Sequence, residues 1–197
     1  MQRIFVGIKI PKEIQQPIAI WRAGFAHMPV RWIRDHDLHI TIIPPWNEIN
    51  IHGVLVRMRQ ALAGRRPFSI DLHKITLAPD PRKPRLIWAE GHPSEKLQAI
   101  KMALHRCLNH ADERPLRPHV TISRFSRLLF RTLGIKKLCV PVKWHFPVTS
   151  VILYESPQIP GKGYRIIEEF NLDDRYEFLS HSRHSELFRN TRERAAS

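Results

Sequence analysis

His39-Ile40-Thr41-Ile42 and His119-Val120-Thr121-Ile122 are two copies of one four-residue pattern. Each sets histidine and threonine two residues apart, with β-branched apolar residues in the alternate places. Side chains of an extended strand alternate faces, so each His–Thr pair shares a face while the isoleucines and the valine enter a core. Two such strands side by side present two imidazoles and two hydroxyls together. Imidazole changes protonation near neutral pH, so these groups are equipped to move protons around a phosphate ester without a metal. Either copy alone reads as an ordinary strand with a satisfied histidine. The doubling carries the signal.

The flanking sequence supplies strands and helices around each motif. Residues 4–10 read as a buried strand, and Pro11 stands where a helix can begin. Ile14, Ile18, Trp21 and Phe25 recur at helical spacing, predicting an amphipathic helix to about His27. Strands are expected over residues 30–33 and 38–43, then a helix over 51–63, then strands near 68–77 and 85–90. Ser94 is a suitable N-cap for a helix reaching about Asn109, with Leu97, Ile100, Leu104 and Leu108 as its stripe. After the second motif come a short helix over 128–133 ended by Gly134, and strands near 145–155 and 163–170. Each half of the chain thus offers helices, several strands and one motif strand. The expected fold is α+β: a bilobal duplication with the motif strands at its centre, facing a cleft.

Composition narrows the setting. Only Cys107 and Cys139 are present, which suggests no disulfide framework and makes a reducing cytosol the expected home. The N-terminus enters a strand pattern directly, without a signal-peptide pattern, and no apolar run is long enough to span a membrane. A soluble cytoplasmic monomer is expected. The net charge is +14, and no acid occurs between Arg114 and Tyr154, the stretch that holds the second motif. A field of that sign concentrates polyanions, and RNA is the obvious candidate. Residues 1–173 are expected to form the bilobal domain. Residues 174–197 are polar and nearly balanced in charge, and read as a partly disordered tail.

The paired motifs resemble the signature of the 2H phosphoesterases. Arg3-Ile4-Phe5-Val6-Gly7-Ile8, Arg31-Trp32-Ile33, Pro84-Arg85-Leu86-Ile87-Trp88 and Pro118-His119-Val120-Thr121-Ile122-Ser123-Arg124 follow in order. Leu153-Tyr154-Glu155-Ser156 and Gly163-Tyr164-Arg165-Ile166-Ile167 complete the series. Together they are similar to the branch of RNA 2′,3′-cyclic phosphodiesterases, also called 2′-5′ RNA ligases, over about residues 2–172. The resemblance implies a pseudo-two-fold fold with antiparallel sheets lining a central cleft and helices outside. It implies metal-independent opening of an RNA 2′,3′-cyclic phosphate end to a 2′-phosphate, with 2′-5′ ligation as a side activity and no cofactor. His39 is then the general acid toward the leaving 3′ oxygen, His119 the general base toward water, and Arg124 a phosphate contact.

Residue chemistry adds detail. Thr41 and Thr121 can donate hydroxyl hydrogen bonds to non-bridging phosphate oxygens. In a regular strand Arg124 falls on the opposite pleat phase from Thr121, so it needs its length or a strand bend to reach the phosphate. The branch commonly follows its first motif with a basic residue and Phe-Leu-Gly, whereas this chain has Ile43-Pro44-Pro45-Trp46. The prolines remove backbone donors. Trp46 either stacks a nucleobase or covers the core edge. His36 with His39, and His181 with His184, are spaced three apart, but no cysteine or third spaced ligand makes either a metal site. Other readings are a phosphodiesterase for 2′-5′-linked oligonucleotides or small cyclic nucleotides, and a non-catalytic module that binds RNA ends.

Overall fold

The computed structural model describes residues 1–110, 116–132, 135, 137–156, 159 and 162–172. The expected tail, the His181 and His184 pair, and the Gly134 helix stop lie outside the described residues.

The chain opens with β1 (Gln2–Lys9), buried from Ile4 to Ile8. Pro11 caps α1 (Lys12–Ala23), whose Ile14 and Ile18 point inward. The helix ends before the expected His27 because Gly24 follows, and glycine is costly to hold in a helix. β2 (Arg31–Trp32) and a single 3₁₀ turn at Asp35–Asp37 lead into the first motif strand, β3 (His39–Glu48). Next come α2 (Ile51–Leu62), β4 (Phe68–Ala78), β5 (Leu86–Gly91) and α3 (Glu95–Leu108). The Asn50 side chain caps α2 and Ser94 caps α3, accepting from Gly53 and Leu97 amides. The second motif strand is β6 (His119–Arg124), followed by α4 (Arg127–Thr132), β7 (Cys139–Val148), β8 (Ser150–Glu155) and β9 (Arg165–Asn171).

The strands form one antiparallel sheet in the order β7-β4-β5-β6-β3-β1-β8-β9, with β2 added to β6. The order is symmetric about the two motif strands. On one side lies β3-β1-β8-β9, on the other β6-β5-β4-β7. The units β1-α1-β3-α2 and β5-α3-β6-α4 repeat the same theme, each with its motif strand antiparallel to the unit's first strand. The lobes are nonetheless not the two halves of the chain. β8 and β9 return from the C-terminal end to extend the first lobe. α1 reaches across to β7, and α3 packs beside α2 and on β3, so the lobes interlock.

Among the described residues one register pair joins the lobes through the motif strands, Ile40 opposite Val120. Both residues are 0% exposed and belong to the core beneath the helices. That burial fixes which face the histidines take, since a one-residue slip would turn every side chain over.

β3 does not stop at Ile43 as its sequence suggested. It continues through Pro44 and Pro45, with Trp46 opposite Ile4, because the ladder to β1 is irregular there. Prolines are tolerated where a ladder is irregular and no amide is required.

Truncating the central pair should expose how much the fold depends on it. Ile40→Ala is expected to lower unfolding free energy by about 2–5 kcal/mol, the usual cost of emptying a fully buried aliphatic site. Ile49→Ala, at a side chain 82% exposed, should change it by less than about 0.5 kcal/mol. Paired denaturant titrations check both.

Candidate active site

Because Ile40 pairs with Val120 in antiparallel register, His39 lies across from Thr121 and Thr41 across from His119. The four side chains therefore share the face opposite the helices, with the histidines on a diagonal. All four are partly buried.

Each histidine is held the same way. His39 Nδ1 lies 2.7 Å from the Asp37 carbonyl oxygen, and His119 Nδ1 lies 2.8 Å from that of Arg117. A carbonyl oxygen only accepts, so both Nδ1 atoms carry hydrogen and donate. Both Nε2 atoms are then left to exchange protons with a substrate. Two residues before each motif histidine, the backbone thus sets its tautomer.

The surroundings of the two rings differ. His39 packs on Phe5 at 4.8 Å between centroids and meets the edge of Tyr164 at 5.0 Å, with Tyr154 behind. Asp37 completes this wall: its Oδ1 accepts the Tyr164 amide at 2.8 Å, and a side chain at Gly163 would press on the same carboxylate. His119 rests on the Trp88 indole, 4.2 Å between centroids. The indole Nε1 donates to buried Glu90, which also pairs with Lys74 at 2.9 Å. Burial opposes the Glu90 charge, but Lys74, Trp88 and Arg117 outweigh it and hold its carboxyl below the usual range.

Burial pushes His39 down to about 4, aided by the charges of Arg124 and His119 and opposed by the Asp37 carbonyl. Burial lowers His119 as well, while the Arg117 carbonyl and the Glu90 carboxylate oppose it. Both rings are therefore neutral at pH 7 in the empty site.

Arg124 influences both histidines, and a strand irregularity explains how. Thr121 pairs with Trp88 but Ser123 pairs with Ile87, so Ile122 is an extra residue in β6. Ile122 and Ser123 are consecutive and both 0% exposed. The inserted residue reverses the pleat phase, returning Arg124 to the side of Thr121. The bend that the regular-strand reading required is present. β3 has the same irregularity at the matching place: Thr41 pairs with Gly7 and Ile43 with Val6, leaving Ile42 extra. There the position matching Arg124 is Pro44, so the site has a cation from one motif only.

Trp46 is not brought to this face. It pairs with core-facing Ile4, packs on the main core and meets the edge of His110 at 5.5 Å. Of its two readings, these contacts are those of a core-edge cover. The aromatic residues that do flank the histidines are Phe5, Trp88, Tyr154 and Tyr164, to which the sequence alone assigns no site role. Their signal was the strand register, which places Trp88 beside Thr121. Among the described residues no three His, Cys, Asp or Glu side chains group as a metal site. A hollow of about 630 Å³ lies elsewhere, between the end of α2 and α3, lined by residues including Arg65, Arg106 and Cys107. It contains none of the candidate proton-transfer groups, so residue chemistry and not the hollow locates the candidate site.

Nitrogen-detected NMR titration tests this electrostatic picture. His39 should titrate near pH 4 and His119 below the ordinary histidine value, both as Nδ1–H tautomers. Because folding lowers the His39 pKa from 6.5 to about 4, the unfolded chain binds more protons in that window. Its contribution to stability is complete above pH 6.5 and erodes as pH falls toward 4. Adding inorganic phosphate should raise both values. An Nε2–H tautomer at either ring would contradict the arrangement.

Comparison with known proteins bears on the fold and on the family. The family model of the 2′-5′ RNA ligase superfamily matches residues 10–158. The RNA 2′,3′-cyclic phosphodiesterase of Bacillus subtilis is 29% identical over 130 residues, covering 61% of this chain and 69% of that protein. The protein of that name from Methanocaldococcus jannaschii is 24% identical over 177 residues, covering 85% and 99%. E. coli LigT, crystallised with 3′-AMP, superposes with a TM-score of 0.69 at 22% identity, covering 87% of this chain and 98% of its own. At that identity the likeness shows the fold. With the family model matched across both motifs, this chain belongs to the 2′-5′ RNA ligase superfamily.

Proposed function

We propose that the protein opens RNA 2′,3′-cyclic phosphate ends to 2′-phosphates by two-histidine acid–base catalysis. The observation that carries this reading is the diagonal pair His39 and His119, each with Nδ1 engaged by a backbone carbonyl and Nε2 free. The names of the B. subtilis and M. jannaschii relatives support the substrate class, and LigT, which shares the fold, was crystallised with the nucleoside monophosphate 3′-AMP.

In the reaction a water oxygen attacks phosphorus while the bond to the ribose 3′ oxygen breaks. One Nε2 takes the water proton, and the other gives its proton to the departing 3′ oxygen. The product is a 2′-phosphate with a free 3′-hydroxyl. Thr41 and Thr121 hydroxyls and the Arg124 guanidinium hold the charge on the non-bridging oxygens, where fixed donors are most effective. If an RNA 5′-hydroxyl replaces water, the same site forms a 2′-5′ linkage.

The acid must be protonated, yet both rings are neutral in the empty site. The substrate resolves this: its anionic phosphate beside both rings favours imidazolium and raises their pKa values. His39 as acid needs the larger rise, because its own surroundings depress it to about 4. His119, with Glu90 nearby, is the base by resemblance although its local field favours protonation more. The role split is therefore open to a direct test.

With a nucleoside 2′,3′-cyclic phosphate in EDTA, the protein should release the 2′-phosphate. His39→Ala and His119→Ala should each lower kcat by about 10²–10⁴-fold with little change in binding. A p-nitrophenyl nucleoside phosphodiester, whose leaving group needs no proton, separates the roles. It should restore turnover to His39→Ala and not to His119→Ala. Rescue of His119→Ala alone would reverse the assignment, and wild-type binding without turnover would favour the RNA-end-binding module.

A further inference from the structure

β4 carries an extra residue beside the active face. Leu72 pairs with Gly91 and Lys74 with Glu90, which leaves His73 unmatched. An inserted residue lets two neighbours approach the same side. His73 Nε2 and Lys74 Nζ lie 4.0 and 2.9 Å from Glu90 Oε1, and Glu90 is the register partner of His119. His73 stacks on His92 with 4.1 Å between centroids and 17° between planes.

This stack is anchored next to the second motif. The Gly91 amide donates to the Pro118 carbonyl at 2.8 Å, and the His92 amide donates to that of Asp71 at 3.2 Å. A side chain at Gly91 would strike the Asp71 carbonyl, so glycine is needed for this approach. His92 is exposed, whereas His73 Nδ1 is buried with no hydrogen-bond partner among the described residues. Burial, then His92 and Lys74, lower the His73 pKa, so its imidazole is neutral at pH 7. Arg117, its side chain 67% exposed, lies 3.9 Å from Glu90. Two cations and a flat imidazole pair thus surround one carboxylate, on the lobe of His119. The His39 side is instead walled by Phe5, Tyr154 and Tyr164.

We propose that the His73–His92 stack, with Arg117 and Lys74, forms a second nucleotide subsite. The base preceding the cyclic end stacks on the open face of His92, and the phosphate that joins it to the terminal nucleoside sits against the two cations. Stacking accepts any base, so the subsite selects an oligonucleotide over a mononucleotide without choosing a sequence. The inference rests on the RNA-end reading above and specifies its substrate class.

The test compares kcat/KM for a tetranucleotide ending in a 2′,3′-cyclic phosphate with that for the nucleoside 2′,3′-cyclic phosphate. Wild type should favour the tetranucleotide by about tenfold or more, the scale that one stacked base supplies. His92→Ala should bring the ratio close to unity while turnover of the nucleoside substrate is retained. His92→Phe, which keeps an aromatic face, should preserve the ratio. Equal use of both substrates by wild type, or a ratio unaffected by His92→Ala, overturns the subsite and leaves the activity standing. Turnover of neither substrate overturns the RNA-end reading and the subsite with it.

Discussion

The single pairing of Ile40 with Val120 is the constraint on which the site depends. Those two side chains, fully buried beneath the helices, lock the face and the register of both motif strands at once. Antiparallel geometry then places each histidine across from the other strand's threonine. No loop has to be ordered to assemble the four groups. The site is made from the centre of the sheet, where local opening is least favourable.

The electrostatics follow from that placement. Burial disfavours the charged form of both imidazoles, and the nearby Arg124 guanidinium adds to the effect. An empty site therefore carries no imidazolium to repel its partner. In the proposed reaction a bound phosphate supplies the missing negative charge, so the reactive protonation state belongs to the complex. The two walls are unequal: aromatic around His39, and an indole with a charged Glu90 network around His119. In the proposed reaction this inequality distinguishes two motifs that differ only at Ile40 and Val120.

Much of this was legible in the sequence because the patterns were strongly periodic. The repeated His-x-Thr gave the shared face, and Ser94 and the apolar stripe of α3 gave that helix almost to its ends. The order of elements was readable, but their allocation to lobes was not. β8 and β9 return to the N-terminal lobe through pairings that leave no local signature. Strand irregularities were the other blind spot. A regular pleat put Arg124 on the wrong side, whereas the extra residue at Ile122 returns it. The same effect carried β3 through Pro44-Pro45 and left Trp46 facing the core. Carbonyls that set the histidine tautomers were invisible because backbone atoms carry no sequence identity.

The claim that one phosphate is shared by both histidines is tested most directly by a distance measurement. Solid-state NMR on ¹⁵N-histidine protein loaded with a nucleoside 2′-phosphate can read dipolar couplings between phosphorus and each ring nitrogen. The account predicts strong couplings from the phosphorus to Nε2 of both His39 and His119, and weak ones to both Nδ1 atoms. Coupling to one histidine alone, or to neither, would contradict it.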